Sequence, residues 1–261
     1  MDVRRQVRDI VGAQYYRRRP LESLRLLDSR RRFRSGRTDV RTMVQRLGID
    51  AGVLDELDEW RPQLAAMDDA ITGAELDQGP LSRAGREVLY AVVRSLRPAV
   101  VIETGVAAGA STAYLAAALV QNGSGDLYSI DLPAFDSRVG DGSHYDWISR
   151  PVGWAIPAEL REAIGDRLHL VLEDVRTSLP ALLDRVGPVD LFFHDDLHTP
   201  DHMRWEYDLV WPRLSPGGVL ASDDANHAWL HFTGAAAGGA LVANVDRLVA
   251  VRKPPAAAVA S

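Results

Sequence analysis

Two short segments hold the residues best equipped for chemistry. One is His194-Asp195-Asp196-Leu197-His198-Thr199-Pro200-Asp201-His202 and the other is Ser222-Asp223-Asp224-Ala225-Asn226-His227; five of the seven histidines lie between 194 and 231. Each segment follows an apolar run of strand character. In a parallel sheet the two loops are neighbours, which lets Asp195, Asp223 and Asp224 converge on one point. Three carboxylates that close repel one another unless protonated or bridged by a cation. An all-oxygen set with room for water suits Mg²⁺ or Mn²⁺. Thr199 is placed to cap a helix, with Pro200 at its first position and Asp201 in its first turn. Met203, Tyr207, Val210 and Leu214 then form its buried stripe, His202 falls on the helix surface, and Trp205 and Trp211 serve packing. His198 sits just before the cap, facing the strand-end crevice.

A second group of residues reads as a binding loop. The run Val101-Ile102-Glu103-Thr104-Gly105-Val106-Ala107-Ala108-Gly109-Ala110-Ser111 leads from a strand into a helix, and its two glycines let the backbone turn tightly beside a ligand at the helix N-terminus. The spacing is Gly-x-x-x-Gly, not the Gly-x-Gly-x-x-Gly of dinucleotide sites. Glu103 would repel a pyrophosphate and suits a ligand carrying an ammonium group. Asp131 ends the next strand, 26 residues after Gly105, where a carboxylate accepts hydrogen bonds from both ribose hydroxyls. That points to a nucleoside without phosphates. Asp174 ends the third strand, in reach of an adenine amino group. Any one of these acids alone is more often a helix cap or a solvated turn residue. Their order at successive strand ends favours the binding role.

The elements that must position these residues follow an alternating rhythm. Strands are predicted at Ala99–Glu103, Asp126–Asp131, Leu168–Glu173, Val189–His194 and Gly218–Asp223, with helices near 83–96, 110–121, 157–165, 176–186 and 200–211. Such alternation predicts an open, doubly wound α/β domain with ligands beyond the carboxyl ends of the strands. Residues 2–16, 20–34 and 38–48 read as helices, and 49–70 continues in helical, acidic style. This gives a helical N-terminal extension over 1–80, with Gly79-Pro80 as the joint, a main domain over 81–253 and a tail over 254–261. After Asp224 one helix and one strand, Arg247–Val251, can be placed. The long connection 132–156, with Phe135, His144, Tyr145, Trp147 and Trp154, is either a substrate loop or a segment pinned by its aromatics.

Composition narrows the function classes. At 261 residues, 46% hydrophobic and 25% charged, the chain can bury a sizeable core. With no cysteine, disulfides, thiolate catalysis, Cys-ligated zinc and iron–sulfur clusters are excluded. Lys253 is the single lysine among 30 basic residues, which makes a Schiff base improbable. No apolar run approaches a membrane span, and the start has no signal-type stretch, so the expectation is a soluble, cytoplasmic protein without a membrane partner. Residues 1–46 carry 14 Arg against 5 acids, a net of +9 within a chain of net charge −6. This cluster lacks the interleaved pattern of an RNA module. Docking on the protein's own acidic body or on a sister subunit, as a homo-oligomer through the N-terminal extension, is favoured over nucleic acid.

Over about residues 85–225 the chain resembles class I S-adenosylmethionine-dependent methyltransferases. The resemblance rests on Glu103-x-Gly105-x-x-x-Gly109-x-Ser111, on Asp131, and on the turn Leu214-Ser215-Pro216-Gly217-Gly218 before the fifth strand. It implies a Rossmann-like fold in which Glu103, Gly105, Gly109 and Ser111 lie near the methionine part of S-adenosylmethionine, with Asp131 at its ribose. The second half is similar to metal-dependent O-methyltransferases of the catechol type, and closer to those acting on macrolide sugars and other bacterial natural products. Their Asp-x-x-His and Asp-Asp patterns map onto Asp195, His198, Asp223 and Asp224. The resemblance implies that the three acids hold the metal, that His198 is the base, and that the acceptor is a small hydroxylated molecule. Where that family often has Asp-Gly-Asp-His, this chain has Asp195-Asp196-Leu197-His198, which leaves the role of Asp196 open.

Two rival functions stand beside this one. A non-haem metal oxygenase is suggested by the four-residue spacing of His194, His198 and His202, although Pro200 and the strand end at His194 keep the three off one continuous helix. A non-catalytic S-adenosylmethionine-binding or oligomerisation protein would have no need of a self-repelling acid cluster.

Overall fold

The computed structural model describes residues 19–74, 80–132, 150–235 and 243–255. The helices are α1 (Pro20–Ser35), α2 (Val40–Arg46), α3 (Arg61–Gly73), α4 (Arg83–Leu96), α5 (Ala110–Asn122), α6 (Ala158–Ile164), α7 (Val175–Val186), α8 (Pro200–Val210) and α9 (His227–Ala235). The strands are β1 (Val100–Thr104), β2 (Asp126–Asp131), β3 (Leu168–Leu172), β4 (Val189–His194), β5 (Leu214–Ser222), β6 (Ala243–Val245) and β7 (Leu248–Arg252). They form one sheet in the order β3-β2-β1-β4-β5-β7-β6. The first five are parallel, while β7 runs antiparallel to both β5 and β6.

The strand order reverses between β1 and β4, and that is where a doubly wound sheet opens a crevice. Register makes the crevice productive. Thr104 pairs with His194, and His194 pairs with Ser222, so β1, β4 and β5 end level with one another. The residues that follow, Gly105, Asp195 and Asp223, therefore leave the sheet side by side.

Successive strand residues feed opposite faces, each covered by helices. Val101, Leu191, Phe193, Val219 and Ala221 join the core under α4 and α5, whereas Ile102, Phe192, Leu220, Val249 and Val251 join the core under α7, α8 and α9. The N-terminal segment from Val40 onward shares the first of these cores, through Met43, Val44, Leu57, Leu64, Met67 and Ile71. Arg86, nearly inaccessible on α4, is held by Asp68 of α3 at 2.5 Å. Asn244 of β6 ties in the end of α1, donating to the Phe33 carbonyl at 2.7 Å. On α1 itself Leu21, Leu24 and Leu27 are exposed.

Several sequence expectations are corrected. Residues 49–70 are helical as expected, in two pieces: Ala51–Glu59 is 3₁₀, and α3 starts at Arg61 because Pro62, which has no N–H to donate, is accommodated only in a first turn. The fifth strand begins at Leu214, not Gly218, and the stretch after α9 holds a hairpin, β6 and β7, in place of a lone strand. The expected helix at 2–16, the side chains of Phe135, His144, Tyr145 and Trp147, and residues 256–261 lie outside the described residues. No helix among the described residues is long and apolar enough to cross a membrane.

Candidate active site

The turn after β1 is fixed from three sides. Gly105 donates its N–H to the Ile130 carbonyl of β2 (2.9 Å), and the Asp195 N–H donates to Thr104 on the other flank (2.8 Å). Gly105 has φ +85, and a Cβ there would lie 2.2 Å from the Asp195 carbonyl oxygen, so the loops after β1 and β4 touch backbone to backbone. Gly109 has φ +93 and gives room to Ile156, whose segment grips the turn through Gly153 N–H to Ala107 (2.8 Å) and Ala155 N–H to Ala108 (3.0 Å). Gly153 and Trp154 thus belong to the wall of this turn. Ala107 adopts φ 47, a strained conformation for a residue with a Cβ.

The sequence-selected acids occupy distinct environments. Glu103 is fully buried and accepts from Ser111 (2.5 Å), Thr112 (2.7 Å) and Ser129 (2.7 Å). Its oxygens and the Ser111 hydroxyl are thereby engaged inside the protein, tying β1 and β2 to the start of α5. Asp131 accepts the N–H groups of Val106 (2.9 Å) and Ala107 (2.8 Å) through Oδ2, and that of Leu132 (2.7 Å) through Oδ1. It remains partly accessible at the rim of the glycine turn. Asp174 caps α7, accepting from Arg176 N–H at 2.8 Å, and is exposed at the carboxyl end of β3.

Burial pushes the Glu103 carboxyl up to about 7, against the lowering effect of its three hydroxyl donors. A carboxyl whose folded value lies above its ordinary 4.5 keeps its proton in the folded chain after the unfolded chain has released it. Stability should therefore fall as pH rises from 4.5 to about 7, by about 3 kcal/mol, and stay level below 4.5 with respect to this group. Urea denaturation across that range, compared with Glu103→Gln, checks this: the variant should lack that increment of pH dependence.

Beyond β4 and β5 two of the three expected acids, Asp195 and Asp223, meet beside His198, while Asp224 turns aside. One donor atom each from Asp195, His198 and Asp223 lie within 4.8 Å of one another. His198 Nε2 stands 3.6 Å from Asp195 Oδ1 and is about a quarter exposed, while Asp223 is fully buried. Asp224 has φ 43 and turns towards Arg247, whose guanidinium contacts Asp224 at 3.2 Å and Asp223 at 2.9 Å. Arg247 sits on the β6–β7 turn, and a lone arginine near a two-residue hairpin turn carries no sequence pattern that marks it as part of the site. Loss of solvent and the Asp223 carboxylate raise the Asp195 carboxyl well above the ordinary range. No sequence pattern singles out Asn226 either. It donates to the His198 carbonyl (3.3 Å) and accepts from Ala228 N–H (2.8 Å), so it joins the β4 loop to the start of α9.

Behind this group lies a second one that the sequence did not announce. His202 is 3% exposed, correcting its expected place on the helix surface, and His194 and Glu206 are fully buried with it. His194 Nδ1 lies 2.5 Å from Glu206 and 3.2 Å from Asp196, and His202 Nε2 lies 3.0 Å from Asp196 and 3.4 Å from Glu206. Burial opposes charge on every member, yet the two imidazoles hold Glu206 down at about 2, and the two carboxylates lift His202 to about 9. Asp196 thus has a defined place, between both rings. Met203, Tyr207, Val210 and Leu214 are buried as expected, but the Thr199 hydroxyl makes no capping bond. Trp205 packs on His202 and carries the Arg176 guanidinium over its face at 4.2 Å.

Residues 102–225 match a family model described as a methyltransferase domain. The 8-demethyl-8-alpha-L-rhamnosyl tetracenomycin-C 2'-O-methyltransferase of Streptomyces olivaceus is 35% identical over 72 residues. That match takes in 26% of this chain and 19% of the relative, so the chain aligns with about a fifth of that protein's length. The solved structure of an O-methyltransferase from Bacillus cereus in complex with SAH aligns with a TM-score of 0.51 at 16% identity, covering 74% of this chain and 91% of that one. A methyltransferase from Geobacter sulfurreducens aligns with a TM-score of 0.52 at 16% identity, covering 79% and 97%. Likeness at such identities is one of fold. Taken with the 3-2-1-4-5-7-6 strand order and the glycine turn after β1, it means that the chain has the Rossmann-like fold of the class I methyltransferases, with a stretch, 102–225, that is similar to a methyltransferase domain.

Proposed function

We propose that this chain methylates a hydroxyl of a small molecule, a sugar, polyketide or other natural product, using S-adenosylmethionine and a divalent cation of the Mg²⁺ or Mn²⁺ kind. The observation that carries this is the meeting of Asp195, His198 and Asp223 one strand away from the glycine turn, their donor atoms within 4.8 Å. The donor chemistry fits a hard cation, since Asp195, Asp223 and Asp224 offer oxygen. Arg247 against Asp223 and Asp224 marks the same need for positive charge at this spot. The Streptomyces olivaceus relative, by its name a 2'-O-methyltransferase of a rhamnosyl compound, supports a sugar hydroxyl as the first acceptor class to try.

The residues divide the work. Glu103 and Ser111 set the shape of the turn through their mutual hydrogen bond, Gly105 and Gly109 bring its backbone close to the cofactor, and Asp131 and Asp174 face the nucleoside from the ends of β2 and β3. Val152 and Ile156, both nearly inaccessible, keep water from the turn. S-adenosylmethionine supplies an electrophilic methyl group, and the cation lowers the cost of negative charge on the acceptor oxygen. An alcohol is a poor nucleophile until it loses its proton, and His198, at the crevice, takes that proton on its ring nitrogen. Alignment of acceptor and methyl is then mainly positioning.

Calorimetric titration of S-adenosylmethionine and S-adenosylhomocysteine, with Mg²⁺ and with EDTA, tests the proposal. Binding should vanish in Asp131→Ala and survive in Asp223→Ala, while the heat of Mg²⁺ binding should vanish in Asp223→Ala. No cofactor binding under any condition would sink the methyl-transfer proposal and turn attention to oxygen- and iron-dependent turnover.

A further inference from the structure

The acids after β5 already face a cation, and it belongs to the chain. Arg247, on the turn between β6 and β7, spreads its guanidinium over two neighbouring carboxylates. Its Nη2 lies 2.9 Å from Asp223 and its Nη1 lies 3.2 Å from Asp224. The backbone beneath it is fixed, because Val245 pairs with Leu248 across the turn, and Leu248 and Val249 are buried in the cores on either face of the sheet. The side chain has more freedom. It is 28% exposed, and Nη2 also reaches the Pro80 carbonyl, at 3.4 Å, on the exposed side.

Charge explains why the arginine is there. Asp223 is fully buried, and a carboxylate removed from water is costly unless a positive group stands beside it. Arg247 supplies that charge in the ion-free protein. Loss of solvent opposes its own charge, and Asp223, Asp224, Asp195 and Asp246 together outweigh that loss. A divalent cation held by Asp195 and Asp223 draws on the same carboxylate. A guanidinium within hydrogen-bond distance of Asp223 would then stand close enough to repel the ion. Once it gives up Asp223 and Asp224, the Pro80 carbonyl, the exposed Asp246 and water remain as its partners.

We propose that Arg247 is a built-in competitor of the divalent cation: it neutralises Asp223 and Asp224 in the ion-free protein and swings off them when the ion binds. The inference rests on the cation site at Asp195, Asp223 and Asp224. Competition of this kind is reciprocal, so the factor by which Arg247 weakens the ion is the factor by which the ion weakens the hold on Arg247. The arginine therefore has two opposite effects. It keeps the strand-end acids folded together without an ion, and it lowers the affinity of the site for one.

Mn²⁺ binding, read by calorimetry and by loss of the free-ion EPR signal without cofactor or acceptor, tests this in wild type, Arg247→Gln, Arg247→Lys and Arg213→Gln. Arg247→Gln should bind Mn²⁺ about tenfold more tightly than wild type. Arg247→Lys keeps the charge and should stay closer to wild type. Arg213→Gln removes a charge paired with Asp184, before the amino end of β5, and should match wild type. In EDTA, Arg247→Gln should melt below wild type, and Mn²⁺ should raise its midpoint by more. An arginine that served packing alone would lower the midpoint without tightening the ion. A second measurement needs no variant: labelling of Arg247 in wild type by phenylglyoxal, mapped by mass spectrometry, should rise several-fold at saturating Mn²⁺. Mn²⁺ binding to wild type with equal or weaker binding to folded Arg247→Gln, or with labelling unchanged or reduced, overturns the competition and leaves the cation site standing. No Mn²⁺ binding by any of the four proteins overturns both.

Discussion

Gly105→Ala should destabilise the protein by about 3 kcal/mol and abolish cofactor binding. Two costs add at this position. The left-handed conformation, φ +85, costs a residue with a Cβ roughly 1–2 kcal/mol. The new methyl would also sit 2.2 Å from the Asp195 carbonyl oxygen and 2.5 Å from its carbonyl carbon, and neither can swing away as a side-chain tip would. The loops after β1 and β4 must then part, adding a packing cost of roughly 1–3 kcal/mol. Gly123→Ala isolates the first cost, since Gly123 has φ +70 with nothing within 4 Å of the added methyl; it should lose about 1 kcal/mol and bind cofactor normally. Gly109→Ala should fall between them, because its clash is with the Ile156 side chain at 2.4 Å. Thermal and urea denaturation of the three variants, with calorimetric binding of S-adenosylhomocysteine, separates these cases.

The same contact explains why the strand-end residues were legible in the sequence. In a doubly wound sheet function follows strands, and the strands here are marked by nearly continuous apolar runs. The second and fourth strands, Asp126–Asp131 and Val189–His194, have the bounds that their sequences predict. Their level ends bring Gly105, Asp195 and Asp223 together without any further information. What could not be read depends on contacts that local pattern does not encode. His202 and Glu206 flank the apolar stripe of α8 and look like solvated helix residues; they are buried because Asp196 and the end of β4 close over them. Their spacing of four residues, beside a histidine that ends a strand, was the one available signal. The three-residue β6 is too short to show periodicity, and its place is set by pairing with β7 and by Asn244 holding α1.

Glu103 and Asp131 show the converse. Their positions at strand ends were expected, but their geometry gives each a structural duty that sequence order does not express. Glu103 spends its oxygens on Ser111, Thr112 and Ser129, and Asp131 braces the Val106 and Ala107 amides. A carboxylate at the end of β2 can both shape the glycine turn and offer a rim oxygen to a ligand. Asp131→Asn is therefore a milder probe of the binding contact than Asp131→Ala.

His198→Ala should lower the rate of methyl transfer by about a hundredfold or more while leaving cofactor affinity unchanged. The imidazole is a quarter exposed at the crevice and 3.6 Å from Asp195, close enough to the carboxylates to act in either of two ways. As a base it takes the acceptor's proton; as a ligand it helps to hold the cation. The two differ in what restores activity. If His198 is the base, raising Mg²⁺ leaves the variant slow, whereas added imidazole recovers part of the rate. If it is a ligand, saturating Mg²⁺ recovers the rate and the apparent affinity for the ion falls. His231→Ala, an exposed site on α9, controls for loss of a histidine as such and should turn over like the wild type. Because Asn226 holds the His198 carbonyl at 3.3 Å, Asn226→Ala should reproduce a smaller part of the same rate loss, by letting the ring drift from the position that the β4 loop gives it.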